Sequence, residues 1–488
     1  SGSTRGQGLS RCRHLFTGRV AILAPAANLA GNTMRDYALL TLIAGLLPFC
    51  LFRPWIGALV WCWVGVMAPH RLSWDLRDLP ISMMVGALLL VGWLFARDRR
   101  SVPWNGALAV LVLFFLYGTT TNLWAWAPDA AWDYWDKVWK MLLMLLVTTT
   151  LVYGRDRIRP LLFVAVFSVA LFGVKGGIFS ILTGGQHKVW VDGGSTIAGN
   201  NFLGLAFVMI LPLLFAMARE EPKPWVRWAL YASFWLTVLA TIFTYSRGAL
   251  LGLLVVLMLT LVKSKKLMLL LILCLPFAYP AKELLPGKWM ERQETIVDYQ
   301  EDTSAMQRIR AWTVAFKIAV DSPLTGAGAN FEEGVTRTRW FGFVDQDLMG
   351  LGDLVHVAHS SYFQVLGWHG FPALALFLLM LMLAWTELQR LKRDSARYPP
   401  LRWIETYAWG IQIGLFGYAV SGAFLNAAYF DLLFLFVALS AMLRREVKQY
   451  LATEDAKTGN GRGKTSSQLP RRSIRRIRAA HFRTRVRN

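Results

Sequence analysis

Long apolar blocks recur along this chain, separated by short polar breaks. A bilayer core of about 30 Å takes roughly 20 helical residues to cross. On that measure the candidate spans are 37–52, 53–68, 81–96, 104–122, 138–153, 159–182, 198–218, 226–245, 248–263, 266–281, 360–386, 403–425 and 429–443. Strands of a membrane barrel would alternate apolar and polar positions, and these blocks do not. The pattern therefore predicts an all-α, polytopic helical bundle of 12 or 13 spans. The choice depends on the second block. If Pro54–Ala68 crosses, there are thirteen spans and the N-terminus is outside; if it dips in and returns, there are twelve and the N-terminus is inside.

Short loops rich in lysine and arginine mark the cytoplasmic side. Arg97–Arg100, Arg155–Arg159, Lys263–Lys266 and Arg390–Arg402 are basic breaks, whereas Asn122–Asp136, Thr183–Thr196, Tyr245–Gly248 and Asn426–Asp431 are not. This alternation places the C-terminal tail inside and residues 282–358 outside as one large loop. Arg247, that loop and His359 then share the external side.

Composition agrees, with 55% hydrophobic residues and a mean hydropathy of +0.41. The net charge of +22 is concentrated at the ends. Residues 452–488 carry eleven Lys/Arg against Glu454 and Asp455, and residues 1–33 carry four arginines and no acid. The tail reads as a disordered cytoplasmic segment with affinity for anionic lipid, and no nucleic-acid partner is expected. Residues 1–33 form a polar leader, and Met34 is the expected natural start. Cys12, Cys50, Cys62 and Cys274 have neither metal-site spacing nor a disulfide pattern.

Arg247 stands in Thr244–Leu250 (TYSRGAL), between two apolar blocks. An arginine there either snorkels to the interface or holds an anion. In the external loop, Ser304–Val320 has helical apolar spacing through Ile309, Trp312, Val314, Phe316 and Ala319. It reads as an amphipathic helix on the membrane surface, with Arg308, Arg310 and Lys317 toward solvent or headgroups. Pro323 ends it, and Gly326 and Gly328 in Asp321–Phe331 (DSPLTGAGANF) permit tight turns and close backbone approach. No strand precedes them, so a dinucleotide fold is not supported.

His356 and His359 follow. Two histidines at i and i+3 are compatible with a metal, but no matching acidic motif accompanies them and Asp353 is the one close carboxylate. A single histidine acting as proton acceptor is the more economical reading. Trp132–Asp136 (WDYWD) reads as an interfacial aromatic belt.

Taken together, TYSRGAL, the helix with Arg308 four residues before Trp312, DSPLTGAGANF and Ala358–Leu374 (AHSSYFQVLGWHGFPAL) resemble the O-antigen ligase superfamily, which includes O-antigen polymerases and bacterial protein O-oligosaccharyltransferases. The likeness covers roughly residues 190–445. Arg35–Tyr37 (RDY), Arg53–Ala58 (RPWIGA) and Ala68–Trp74 (APHRLSW) look like the branch of O-glycosylation ligases associated with exosortase systems. The implied division is 34–185, an N-terminal membrane region of that branch, and 186–445, a ligase-like membrane domain containing the periplasmic loop 282–358.

The resemblance implies a bacterial inner-membrane enzyme with its active site on the periplasmic face. It would move a glycan from undecaprenyl diphosphate to a hydroxyl of a glycolipid, protein or polysaccharide, as in lipopolysaccharide, exopolysaccharide or glycoprotein assembly. Arg247 and Arg308, helped by Arg310, would hold the diphosphate, and His359 would be the base on the acceptor. Ser246, Ser360, Tyr362, Gly326 and Gly328 are candidate supporting residues. Inversion without metal or cofactor is expected. This chain departs from the related pattern at Gln364 and Trp368, where glutamate is common, and His369 is expected to pack rather than catalyse. A polymerase would share the donor and differ in acceptor. A lipid-linked sugar transporter would instead need buried mid-membrane charges, for which Lys175 is the main candidate.

Overall fold

The computed structural model describes residues 26–73, 76–191, 195–261, 303–349 and 354–460. Among them are fifteen α-helices: α1 Ala26–Phe52, α2 Pro54–Met67, α3 Ile81–Phe95, α4 Gly106–Thr121, α5 Pro128–Leu151, α6 Arg155–Leu182, α7 Gly199–Glu220, α8 Pro224–Ile242, α9 Arg247–Leu261, α10 Thr303–Asp321, α11 Phe331–Gly334, α12 Arg337–Phe341, α13 Ser361–Ser395, α14 Arg402–Ser421 and α15 Asp431–Asn460. No β-strand occurs among the described residues; an isolated bridge pairs Val191 with Gly199. The fold is all-α and polytopic, as the hydropathy pattern predicts. Six of the helices are long and apolar enough to cross a membrane, and α3 and α9 are shorter apolar helices. The expected span 266–281 lies outside the described residues.

The bundle is organised around α7. Its apolar window is 89% buried, against 17% for Met34–Phe52 in α1. It packs against α8, α9 and α14. Small residues allow this closeness: a Cβ on Gly414 of α14 would lie 2.5 Å from the Met209 carbonyl oxygen. Without a hydrophobic drive between helices in lipid, such close backbone approach is a main source of association.

Helix α2 has 14 residues, about 21 Å at 1.5 Å per residue. The Arg157 guanidinium lies 5.5 Å from the Trp55 ring at its start, and Thr196 Oγ1 donates to Gly65 O near its end, at 3.5 Å. It packs against α6. At the C-terminus, α15 continues to Asn460, so the first residues assigned to a disordered tail are helical.

Two other expectations change. Trp132 is 41% exposed, as in an aromatic belt, but Trp135 is 1% exposed, with its Nε1 donating to Thr119 Oγ1. The expected surface helix, α10, instead docks on α13. Ala311, Val314, Ala315, Ile318 and Ala319 are all buried. Those positions follow the i, i+3, i+4 spacing of one helix face, and that face meets protein instead of lipid.

What fixes this docking is a break in α13. Gly370 has φ 78° and ψ −174°, and Pro372 follows it. The turn after α10 fills the break. Ala327 N and Gly328 N donate to the Gly367 and Trp368 carbonyls at 2.9 Å, and Phe371 N donates to Pro323 O at 2.9 Å. Backbone groups at membrane depth must be satisfied by protein, so the break and the turn require each other. A Cβ on Gly370 would sit 2.3 Å from Pro323 O, and one on Gly326 (φ 62°) 2.6 Å from Gly367 O. Gly370→Ala adds a left-handed penalty to a backbone clash and is expected to cost about 3 kcal/mol. Thermal unfolding in detergent should show a clearly lowered midpoint for Gly370→Ala, while Leu378→Ala on the exposed side of the same helix leaves it in place.

Candidate functional site

Two helix N-termini pack against one turn, residues 422–428. Arg247 is the first residue of α9. Ser246 caps that helix, its Oγ accepting from Ala249 N at 3.4 Å. Tyr245 enters with φ 58° and is pinned by its hydroxyl, which donates to Gly185 O at 2.8 Å. Asn200 Nδ2 donates to Thr244 O at 2.9 Å. The half-buried Arg247 is thus carried on a turn with little freedom.

The second N-terminus is that of α13. Ser360 precedes it in extended conformation, with Gln364 N donating to its carbonyl at 2.8 Å. His359, just before, has φ 47°. A left-handed backbone is uncommon outside glycine, and where such residues occur they gather at functional sites. Trp312 of α10 holds this strained segment on both sides: its Nε1 donates to Ala358 O at 2.6 Å, and its ring stacks on Phe363 at 5.3 Å. Arg308 is one helical turn from Trp312, so both lie on the same side of α10.

That placement brings Arg308 to His359 electrostatically. Burial, then the Arg308 cation, then His356 hold the His359 imidazole down to about 4. Burial penalises the charged form and a neighbouring cation adds to it. His359 is therefore neutral, able to accept a proton, above that pH.

The 422–428 turn joins the two N-termini. Ser361 Oγ donates to Leu425 O at 3.0 Å and accepts from Ala427 N at 3.3 Å. Ala428 N donates to Gln364 Oε1 at 3.0 Å. On the other side, a Cβ on Gly248 would lie 3.0 Å from Phe424 Cβ and 3.3 Å from Leu425 Cδ1. Arg247 and His359 thus flank one short turn. Helix N-termini carry partial positive charge and unsatisfied N–H groups, so two of them beside arginines suit an anion.

Other candidates take different places. Arg310 is fully buried and not on a solvated face. Its NH1 and NH2 donate to Leu348 O and Leu354 O at 3.4 and 3.3 Å, and its guanidinium lies 5.2 Å from the Trp340 ring. His356 Nδ1 reaches the same Leu354 carbonyl at 2.7 Å, so Arg310 and His356 brace the loop that leads to His359. Tyr362 is tied to α14, its hydroxyl donating to Ala419 O at 2.7 Å. Gly326 and Gly328 make their close approach to backbone, Gly326 to α13 and Gly328 to Ala125. No group of three or more His, Cys, Asp or Glu able to hold a metal occurs among the described residues. Asp353 lies outside them, and Lys175 is exposed on α6.

His369 is wholly buried. Thr121 Oγ1 donates to Gly118 O, so it accepts from His369 Nδ1 at 2.6 Å, and the Tyr429 hydroxyl donates to Nε2 at 2.7 Å. Both nitrogens are engaged in packing, as expected. Glu332 was not singled out by sequence. Its carboxylate accepts from Trp368 Nε1 at 3.0 and 3.1 Å, and burial pushes it up to about 7. The loop thereby places a carboxylate beside Trp368. Gln364 likewise provides the acceptor oxygen that a glutamate would.

Two family models match the chain. Residues 34–221 match a family of unknown function, and residues 232–378 match the O-antigen ligase family. No curated protein matches. The second match contains Arg247, Arg308, Arg310 and His359, and an O-antigen ligase implies, in general terms, a lipid-linked glycan donor and an acceptor. The O-antigen ligase family domain at residues 232–378 supports that superfamily and, in this multi-pass membrane protein, a ligase- or polymerase-like enzyme.

Proposed function

We propose that the protein transfers a glycan from undecaprenyl diphosphate to an acceptor hydroxyl on the periplasmic face of the bacterial inner membrane. The observation that supports this reading is the 422–428 turn, which bonds to Ser361 at the head of α13 close to His359 and packs against Gly248 next to Arg247. Acyl or nucleotide chemistry has no comparable support from these residues.

In this reading the acceptor oxygen attacks the anomeric carbon as its proton passes to the His359 imidazole. The bond from that carbon to the diphosphate oxygen breaks on the opposite side, which inverts the centre. Negative charge gathers on the departing diphosphate, and Arg247, Arg308 and the two helix N-termini face it with fixed positive charge. Arg310 and Trp312 act earlier, by holding the loop and the strained backbone at His359. The basic-break pattern supports the periplasmic side. Ligase and polymerase differ here only in which molecule brings the hydroxyl.

The test is reconstitution with undecaprenyl-diphosphate glycan and acceptors of the glycolipid, protein and lipid-linked glycan classes. His359→Ala should lower transfer about 10²–10⁴-fold, the usual range for a general base. Arg247→Ala should lower it about 10²-fold or more. Equal donor consumption by wild type and both variants would overturn the assignment. Arg308→Lys should also be poorly active, since a lysine lacks the bidentate fork; full activity would reduce Arg308 to a headgroup anchor.

Because the base form of His359 persists down to about 4, kcat/KM should stay level on lowering the pH to roughly 5 and fall only below that. An unperturbed histidine would give a limb near 6.5, and such a limb would contradict the buried, arginine-flanked base. Activity should also survive EDTA, whereas loss with rescue by a divalent ion would replace the metal-free mechanism.

A further inference from the structure

In an inverting displacement the transferred sugar lies between the incoming hydroxyl and the departing diphosphate. In the proposed reaction the hydroxyl meets His359 and the diphosphate meets Arg247 and Arg308, and the 422–428 turn packs against the segments that carry His359 and Arg247. Most of that turn is committed to the protein. The carbonyl of Leu425 and the amides of Ala427 and Ala428 bond to Ser361 and Gln364, and the Ala427 carbonyl accepts from the Tyr418 hydroxyl at 2.8 Å.

Asn426 is the exception. Its Oδ1 is buried and accepts no hydrogen bond, although the residue as a whole remains partly exposed. A buried carbonyl-type oxygen left unsatisfied is costly, and such a group calls for an explanation. An alanine would avoid the cost and leave the neighbouring backbone bonds possible. A carboxamide has one acceptor and two donors, the complement of a sugar hydroxyl. The terminal torsion of asparagine is broad, so a modest rotation offers either end of the amide to the exposed side.

We infer that Asn426 binds a hydroxyl of the sugar being transferred, making it a specificity-determining residue on the donor glycan. This rests on the proposed glycan transfer. It adds a contact to the sugar itself, which neither the arginines nor His359 supply.

The experiment compares binding of undecaprenyl diphosphate with and without its glycan. Wild type should bind the glycan-bearing lipid more tightly. In Asn426→Ala that preference should shrink about tenfold while affinity for bare undecaprenyl diphosphate is unchanged. Asn426→Ser, which keeps a hydroxyl, should lie between the two. The bare-lipid affinity serves as the folding control, since a merely structural asparagine would weaken both ligands alike. Equal weakening of both, or an undiminished preference in the alanine variant, would overturn the assignment of Asn426. If wild type binds neither lipid, the transfer reading itself falls, and the role of Asn426 with it.

Discussion

The turn that follows α10 fits into the break of α13, and the geometry of the candidate site depends on that fit. Gly370 leaves the helical path, freeing carbonyls that lipid cannot satisfy. The amides of Ala327 and Gly328 take them up. The same turn is tied to the start of the membrane bundle: Trp126 N donates to Ala327 O, Ala329 N donates to Asn122 Oδ1, and the Tyr117 hydroxyl donates to Leu324 O. With the turn fixed, α10 lies along the head of α13. Arg308 and Trp312 are then delivered to His359, about fifty residues further along the chain.

The site is held ready by packing and strain together. His359 and Tyr245 both adopt left-handed backbone, and each is secured by a tyrosine or tryptophan side chain reaching a backbone carbonyl. Arg310 contributes from inside the loop, where it meets two carbonyls and an aromatic face. In the proposed reaction such supports would keep charge and base in place without reorganisation, the condition for electrostatic catalysis to be effective.

Several parts of this arrangement were legible without coordinates. The apolar blocks were visible because a bilayer demands length and forbids unsatisfied backbone. Arg247 stood out because a cation at the edge of such a block is costly. The glycines of residues 326–328 announced a close approach, and its objects proved to be the α13 backbone for Gly326 and Ala125 for Gly328. Arg310 was not legible. It lies two residues, about 200°, around the helix from Arg308, and only the loop folding over that side turns a solvated position into a buried one. Glu332 escaped for the same reason, since nothing local indicates that its carboxylate meets the indole of Trp368.

The sequence by itself determined an all-α membrane bundle, its basic and non-basic faces, and the residue types able to hold an anion and accept a proton. Those features follow from local chemistry: hydropathy over a bilayer's width, the cost of charge in lipid, and the near-neutral imidazole. The tertiary structure decided that Arg308 lies toward His359 while Arg310 braces the loop. It also decided how far His359 is shifted from the ordinary histidine range, and that a short turn near the C-terminal end of the bundle joins the segments carrying Arg247 and His359. These depend on contacts between residues far apart in the chain, whose azimuth and burial no local pattern records.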